Sequence, residues 1–150
     1  MIELNSKEAI EHPDLIKFVQ MKEALSGFRP LNLNQIEDTS IEPFSDAMII
    51  SRKFDDGSDF SFEYWGEENT KAYGFDLTGQ SIMTANFGEL ANLFMSIDCQ
   101  VISMGGTVYL NGEFDWLDKE HQKWYRVAMP LVGPRGVNRV ISYTTFRVVD

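Results

Sequence analysis

The sequence predicts an α+β domain: a single five-stranded antiparallel sheet with helices on one face and an N-terminal helical extension. Three observations predict it. Residues 47–54 and 59–65 are β-type runs on either side of Asp56-Gly57. Three further β-type runs, at 107–116, 122–132 and 137–149, are separated by short polar or Pro/Gly segments. Helix-type sequence lies between the two groups, and strands grouped around a helical block read as α+β with one core.

The elements follow in order. "NSKEAIE" (residues 5–11) opens a helix, with Asn5 as cap and Glu8 three positions on. "HPDLIKFVQMKEALSG" (12–27) is a longer one. Pro13 suits its first turn, Asp14 suits the positive helix end and Gly27 suits its stop. Its apolar face is Leu15, Phe18, Val19 and Leu25, with Met21 at the margin. Residues 28–44 carry two prolines and no clean period, so they read as a connector. The predicted division is therefore 1–44, helical extension and connector, and 45–150, core domain. Asp56-Gly57 supplies the positive φ of a tight hairpin turn. In the second hairpin strand Phe60, Phe62 and Tyr64 share one face, Ser61 and Glu63 the other. "EENTKAY" (67–73) is a short helix stopped by Gly74. Residues 88–106 form the strongest helix, with Leu90, Leu93, Phe94, Ile97, Val101 and Met104 at three-to-four spacing. "DKEH" (118–121) and "GPRG" (133–136) then divide three meander strands. Tyr125, Val127, Met129 and Leu131 alternate with Trp124 and Arg126, so the apolar set faces the core and Arg126 falls on the polar face. Pro130 lacks an N–H and belongs at a bulge, an edge or a strand end.

One stretch carries a resemblance. Tyr64, Asn69, Ala72, Tyr73, Gly74, Leu77 and Gly79 resemble the signature of the PAS domain. "YGFDLTG" (73–79), preceded by Gly27-Phe28-Arg29-Pro30, is similar to a bacterial PAS subfamily common in alphaproteobacteria. The likeness spans residues 14–148. It implies a sheet of order 2-1-5-4-3, a cavity between helices and sheet, and a sensory or regulatory role. Asn69 suits a cap or turn, while Gly74 and Gly79 relieve steric cost where the chain bends sharply. This segment is expected to make one wall and rim of the cavity.

Composition limits the partners. A net charge of -10 argues against nucleic acid and against anionic membrane surfaces. Cys99 is the only cysteine, so no intrachain disulfide forms. The first residues lack an apolar signal core, no run reaches a bilayer's thickness, and a cytoplasmic location is the default.

No catalytic set emerges. His12 and His121 are the two histidines, and no metal-binding spacing is present. Cys99 reads as a small core residue, and Glu113, Asp115 and Asp118 as exposed strand and turn. Within the PAS resemblance, the flavin-binding Asn-Cys-Arg-Phe-Leu setting is missing and the long helix has no histidine for haem. No cofactor is expected. A citrate-like ligand would need convergent cations, and Arg126 sits on the wrong face for that. The expected ligand is a small apolar or aromatic molecule touching some of Phe62, Tyr64, Tyr73, Phe94, Tyr125 and Met129. The expected activity is non-catalytic sensing, with output through a partner signalling protein; no kinase, cyclase or DNA-binding motif occurs and no output domain follows Asp150, so the sequence could also be part of a longer chain. A homodimer is expected through the apolar face of residues 15–25. Two rivals are an interaction module with a filled core and a small enzyme of cone-shaped α+β fold. Buried Asp, His or Arg inside the pocket would favour the enzyme.

Overall fold

The computed structural model describes residues 2–114 and 119–148. In chain order these form β1 (Glu3–Leu4), α1 (Lys7–Ile10), α2 (Pro13–Ser26) and β2 (Leu31–Asn32). Two 3-10 segments (Leu33–Gln35 and Glu42–Ala47) lead to β3 (Met48–Lys53), β4 (Phe60–Trp65) and α3 (Glu67–Tyr73). Then come α4 (Leu90–Met104), β5 (Val108–Phe114), β6 (Lys119–Gly133) and β7 (Gly136–Val148). Local chemistry fixes the ends. The His12 imidazole accepts the Asp14 N–H at the start of α2, and Gly27 closes that helix at φ 61°. Gly74, at φ 87°, stops α3 by donating its N–H to Thr70 O over 2.8 Å. The cap of α1 is Ser6 rather than Asn5. Asn5 instead adopts φ 50° and accepts the Tyr109 N–H, so it serves the sheet.

The structure is α+β with a mostly antiparallel sheet. Its order is β1-β5-β6-β7-β3-β4, and β2 pairs with β6 in parallel. Seven strands replace the five expected, because the N-terminal segment gives two short ones to the sheet. Residues 28–44 are thus more than a connector: Leu31 and Ile41 are buried in the core. Lys119–His121, read as turn, open strand β6; Asp115 and Asp118, and the start of the "DKEH" turn, lie outside the described residues. Pro130 sits just past Ala128, the last β6 residue paired with β5, and just before a register shift at Leu131/Val132. Its missing N–H falls where β6 changes partner from β5 to β2.

Helices cover both faces of this sheet, not one. Along β6, Trp124 and Ala128 pack under α3 and α4 with Phe94, Ile97 and Val101. Tyr125, Val127, Met129 and Leu131 pack under α2 with Leu15, Phe18 and Met21. A strand buried on both sides needs cover on both sides. The α2 face offered to a partner copy is therefore spent on the chain's own sheet. Gly66 allows the close approach that joins the layers. It donates to Met48 O at 2.9 Å, and a Cβ there would stand 2.3 Å from Asp46 O.

Candidate functional site

Between the sheet and α4 the first core is incompletely filled. The chamber encloses about 30 Å³, room for about two waters. Its walls are mainly aromatic and aliphatic. Phe62 and Trp65 come from β4, Tyr73 from α3, and Phe94 from α4. The segment after α3 supplies Ile82 and Phe87. Gly79, at φ 84°, turns this segment back along the outer edge of β4. There the Phe62 N–H donates to Gln80 O at 2.8 Å and the Ile82 N–H to Phe60 O at 2.9 Å. Asn69 ties α3 down from beneath, its amide donating to Met48 O at 3.1 Å.

Of the six expected ligand contacts, the structure brings three together. Phe62, Tyr73 and Phe94 line the chamber. Tyr64, Tyr125 and Met129 lie across the sheet in the α2 core. For Tyr64 the cause is a β-bulge. Ile50 pairs with Tyr64 and Ser51 with Phe62, so Glu63 is an extra residue and the alternation inverts after it. The Tyr64 hydroxyl donates instead to Ser45 O at 2.8 Å. Tyr125 donates to Glu8 Oε1 and Met129 is 2% exposed within the other core. The alternation along β6 placed Tyr125 and Met129 correctly on an apolar face, but that face belongs to the second core.

The polar part of the lining is Arg126, Asp98, Ser51 and Ser142, none of them among the six expected contacts. Arg126 reaches inward beside Trp124 and Ala128, a correction to its expected place on a solvated face. Its Nε–H donates to Thr144 Oγ1 at 2.8 Å and its Nη2 to the Tyr73 hydroxyl oxygen at 2.9 Å. Phe94 and Trp124 flank the guanidinium, 5.5 and 5.3 Å from their ring centres. Asp98 as a residue keeps some solvent contact, while its carboxyl turns to the chamber and accepts the Ser51 hydroxyl at 3.1 Å. Burial pushes this carboxyl up to about 6, with the Ser51 hydrogen bond and the Arg126 charge pulling the other way. Ser142 completes the wall on β7. The signal for Arg126 was its alternation with Trp124 and Ala128, two residues that belong inside. For Asp98 it was a position four after Phe94 and one after Ile97, at the edge of the buried stripe of α4.

No family model, curated protein or solved structure matches the chain.

The chamber must then be read from its own groups. Among the described residues no cluster of His, Cys, Asp and Glu could hold a metal ion. No helix among them is long and apolar enough to cross a membrane. What the chamber offers is one half-buried cation, one carboxyl that burial pushes up to about 6, and hydroxyl and ring edges around them. That set can grip a polar guest and respond to its charge.

Proposed function

We propose that the chain is a PAS-type sensory or regulatory module, non-catalytic, that takes a small ligand into the chamber between the sheet and α4 and acts through a partner protein. One observation carries the reading: the half-buried Asp98 and Arg126 share a chamber otherwise lined mostly by aromatic and aliphatic side chains. Taking ionisable groups out of water costs stability, so a carboxyl and a guanidinium directed into such a chamber read as kept for use. The order of the elements, with helices between a hairpin and a three-stranded meander, supports the PAS likeness. Occupancy would act by population shift: a guest that favours one packing of α4 on the sheet moves the ensemble toward it. Phe62, Tyr73 and Phe94 are retained as contacts, joined by Trp65, Asp98 and Arg126. An aromatic ring does not fit a chamber of about 30 Å³, so the ligand proposed for it is smaller than the apolar or aromatic molecule first expected.

That same small volume favours a second reading, an interaction module with a nearly filled core. Since α2 is covered by its own sheet, a homodimer in either reading would use another surface. The enzyme reading asked for buried Asp, His or Arg, and Asp98 and Arg126 answer it in part. Against it, Arg126 is held by Thr144 and Tyr73, and no histidine lines the chamber among the described residues. Native mass spectrometry of protein purified from its own host is the test. An added small mass that vanishes on denaturation supports the sensor. A clean apo mass in a stable dimer supports the interaction module and overturns the sensor.

A further inference from the structure

Arg126 and Trp65 both line the chamber and carry N–H donors. Both groups that hold Arg126, the Thr144 and Tyr73 oxygens, are uncharged. Among the described residues no carboxylate closes an ion pair with it. Trp65 lines the same chamber at 6% exposure, and its indole N–H is buried without an acceptor among those residues. A buried donor of this kind is costly until something accepts from it. The Asp98 carboxyl is already engaged by Ser51.

We propose that the chamber is a binding site for a small monoanion of the monocarboxylate class, formate or acetate in size, with Arg126 as its counter-ion and the Trp65 indole N–H as a second donor. The proposal rests on the sensor reading and names the ligand class for it. Size selects a guest of about two or three heavy atoms, which formate matches and acetate marks as the upper limit, since each water needs about 10–15 Å³ of such space and the chamber has about 30 Å³. Charge selects an anion, because the half-buried guanidinium is hydrogen-bonded only to uncharged oxygens and no carboxylate among the described residues is in ion-pair contact with it. A carboxylate also presents two acceptor oxygens, matched to a guanidinium fork.

Asp98 makes the binding proton-coupled. Ser51 from β3 and Arg126 from β6 face it, Tyr73 from α3 holds Arg126, and Ser142 from β7 adds an uncharged hydroxyl to the wall. An ionised Asp98 competes with the guest for Arg126, and a protonated one does not. With this carboxyl near 6, affinity falls roughly tenfold or more from pH 5 to pH 8, as the competent fraction falls.

The test is NMR of the ¹⁵N-labelled chain, with the Trp65 indole assigned through Trp65→Phe. Sodium formate, acetate, neutral acetamide and xenon are titrated at constant ionic strength at pH 5 and pH 8. The expected result is a saturable formate shift at Trp65, at least tenfold tighter at pH 5 and lost in Arg126→Gln. Asp98→Asn, which keeps the Ser51 acceptor, should bind formate at pH 8 as the wild type does at pH 5, and it decides the matter should Arg126→Gln not fold. A response to acetamide or xenon without one to formate overturns the anion site and leaves the sensor reading intact. Silence toward every probe also overturns the anion site, while the sensor reading stands or falls on the retained mass.

Discussion

Replacing Asp98 with Asn measures what the chamber costs the fold. The carboxyl sits at about 6 in the folded chain against 3.8 for the free group, a difference of about two pK units. At about 1.4 kcal/mol per unit, ionised Asp98 costs up to about 3 kcal/mol. The sign follows from proton counting. Between about pH 4 and pH 6 the folded chain keeps a proton that the unfolded chain has released, so stability is full below the window and falls as pH rises through it. Asn carries no charge and still accepts from Ser51, so Asp98→Asn escapes the loss. The variant should match the wild type near pH 4 and exceed it by about 2–3 kcal/mol at pH 8. Urea unfolding followed by tryptophan fluorescence at a series of pH values gives both curves. Asp38, Asp56 and Asp76, held low by hydrogen bonds from Ser40, Ser58 and Thr78, titrate in both chains and cancel in the difference. A pH-independent difference between the curves, or a variant less stable at pH 8, would refute the placement of this carboxyl.

Three further outcomes test the architecture. Phe18 is fully buried between Phe44 and Tyr143, at 5.4 and 5.0 Å between ring centres. Phe18→Ala should cost about 3–5 kcal/mol in urea unfolding with no change in size-exclusion mass; loss of a dimer at unchanged stability would contradict the packing of α2. Gly66→Ala forces a Cβ to 2.3 Å from Asp46 O and should lower stability by about 1–3 kcal/mol or more, read as a depressed Tm; an unaltered melt would show that the start of α3 and the 3-10 segment Glu42–Ala47 do not approach so closely. Thr144→Val keeps the shape but leaves Arg126 Nε–H without its acceptor, costing about 1–3 kcal/mol in urea unfolding, and a neutral effect would remove Arg126 from its assigned place.

Much of this fold was legible because its signals are local. Asp56-Gly57, Gly74 and Gly79 each announced a turn that only positive φ permits, and all three glycines adopt it. The α4 stripe was equally plain, since Phe94, Ile97 and Val101 recur at helical spacing and are buried. What escaped was relational. A bulge at Glu63 inverts Tyr64 without any mark in the composition of β4. The two-residue strands β1 and β2 are too short to show a period and exist only because β5 and β6 leave edges for them. Arg126 was misplaced because a cation in an alternating strand reads as solvent-facing. Here rings and an opposing helix enclose it, and no property of the strand alone reveals that the second face is covered.

The N-terminal staple on β5 has a consequence for how the molecule is made. Glu3 and Leu4 pair with Asn111 and Leu110, and the Asn5 side chain meets Tyr109, 104 positions away. A chain emerging from the ribosome cannot close this junction until β5 has been synthesised, and contacts so distant in sequence slow closure. Through that interval Leu15, Phe18 and Met21 wait without the sheet that later covers them. The nascent chain is thus most vulnerable to clumping before its final three strands arrive, and a chaperone would find its footing on α2.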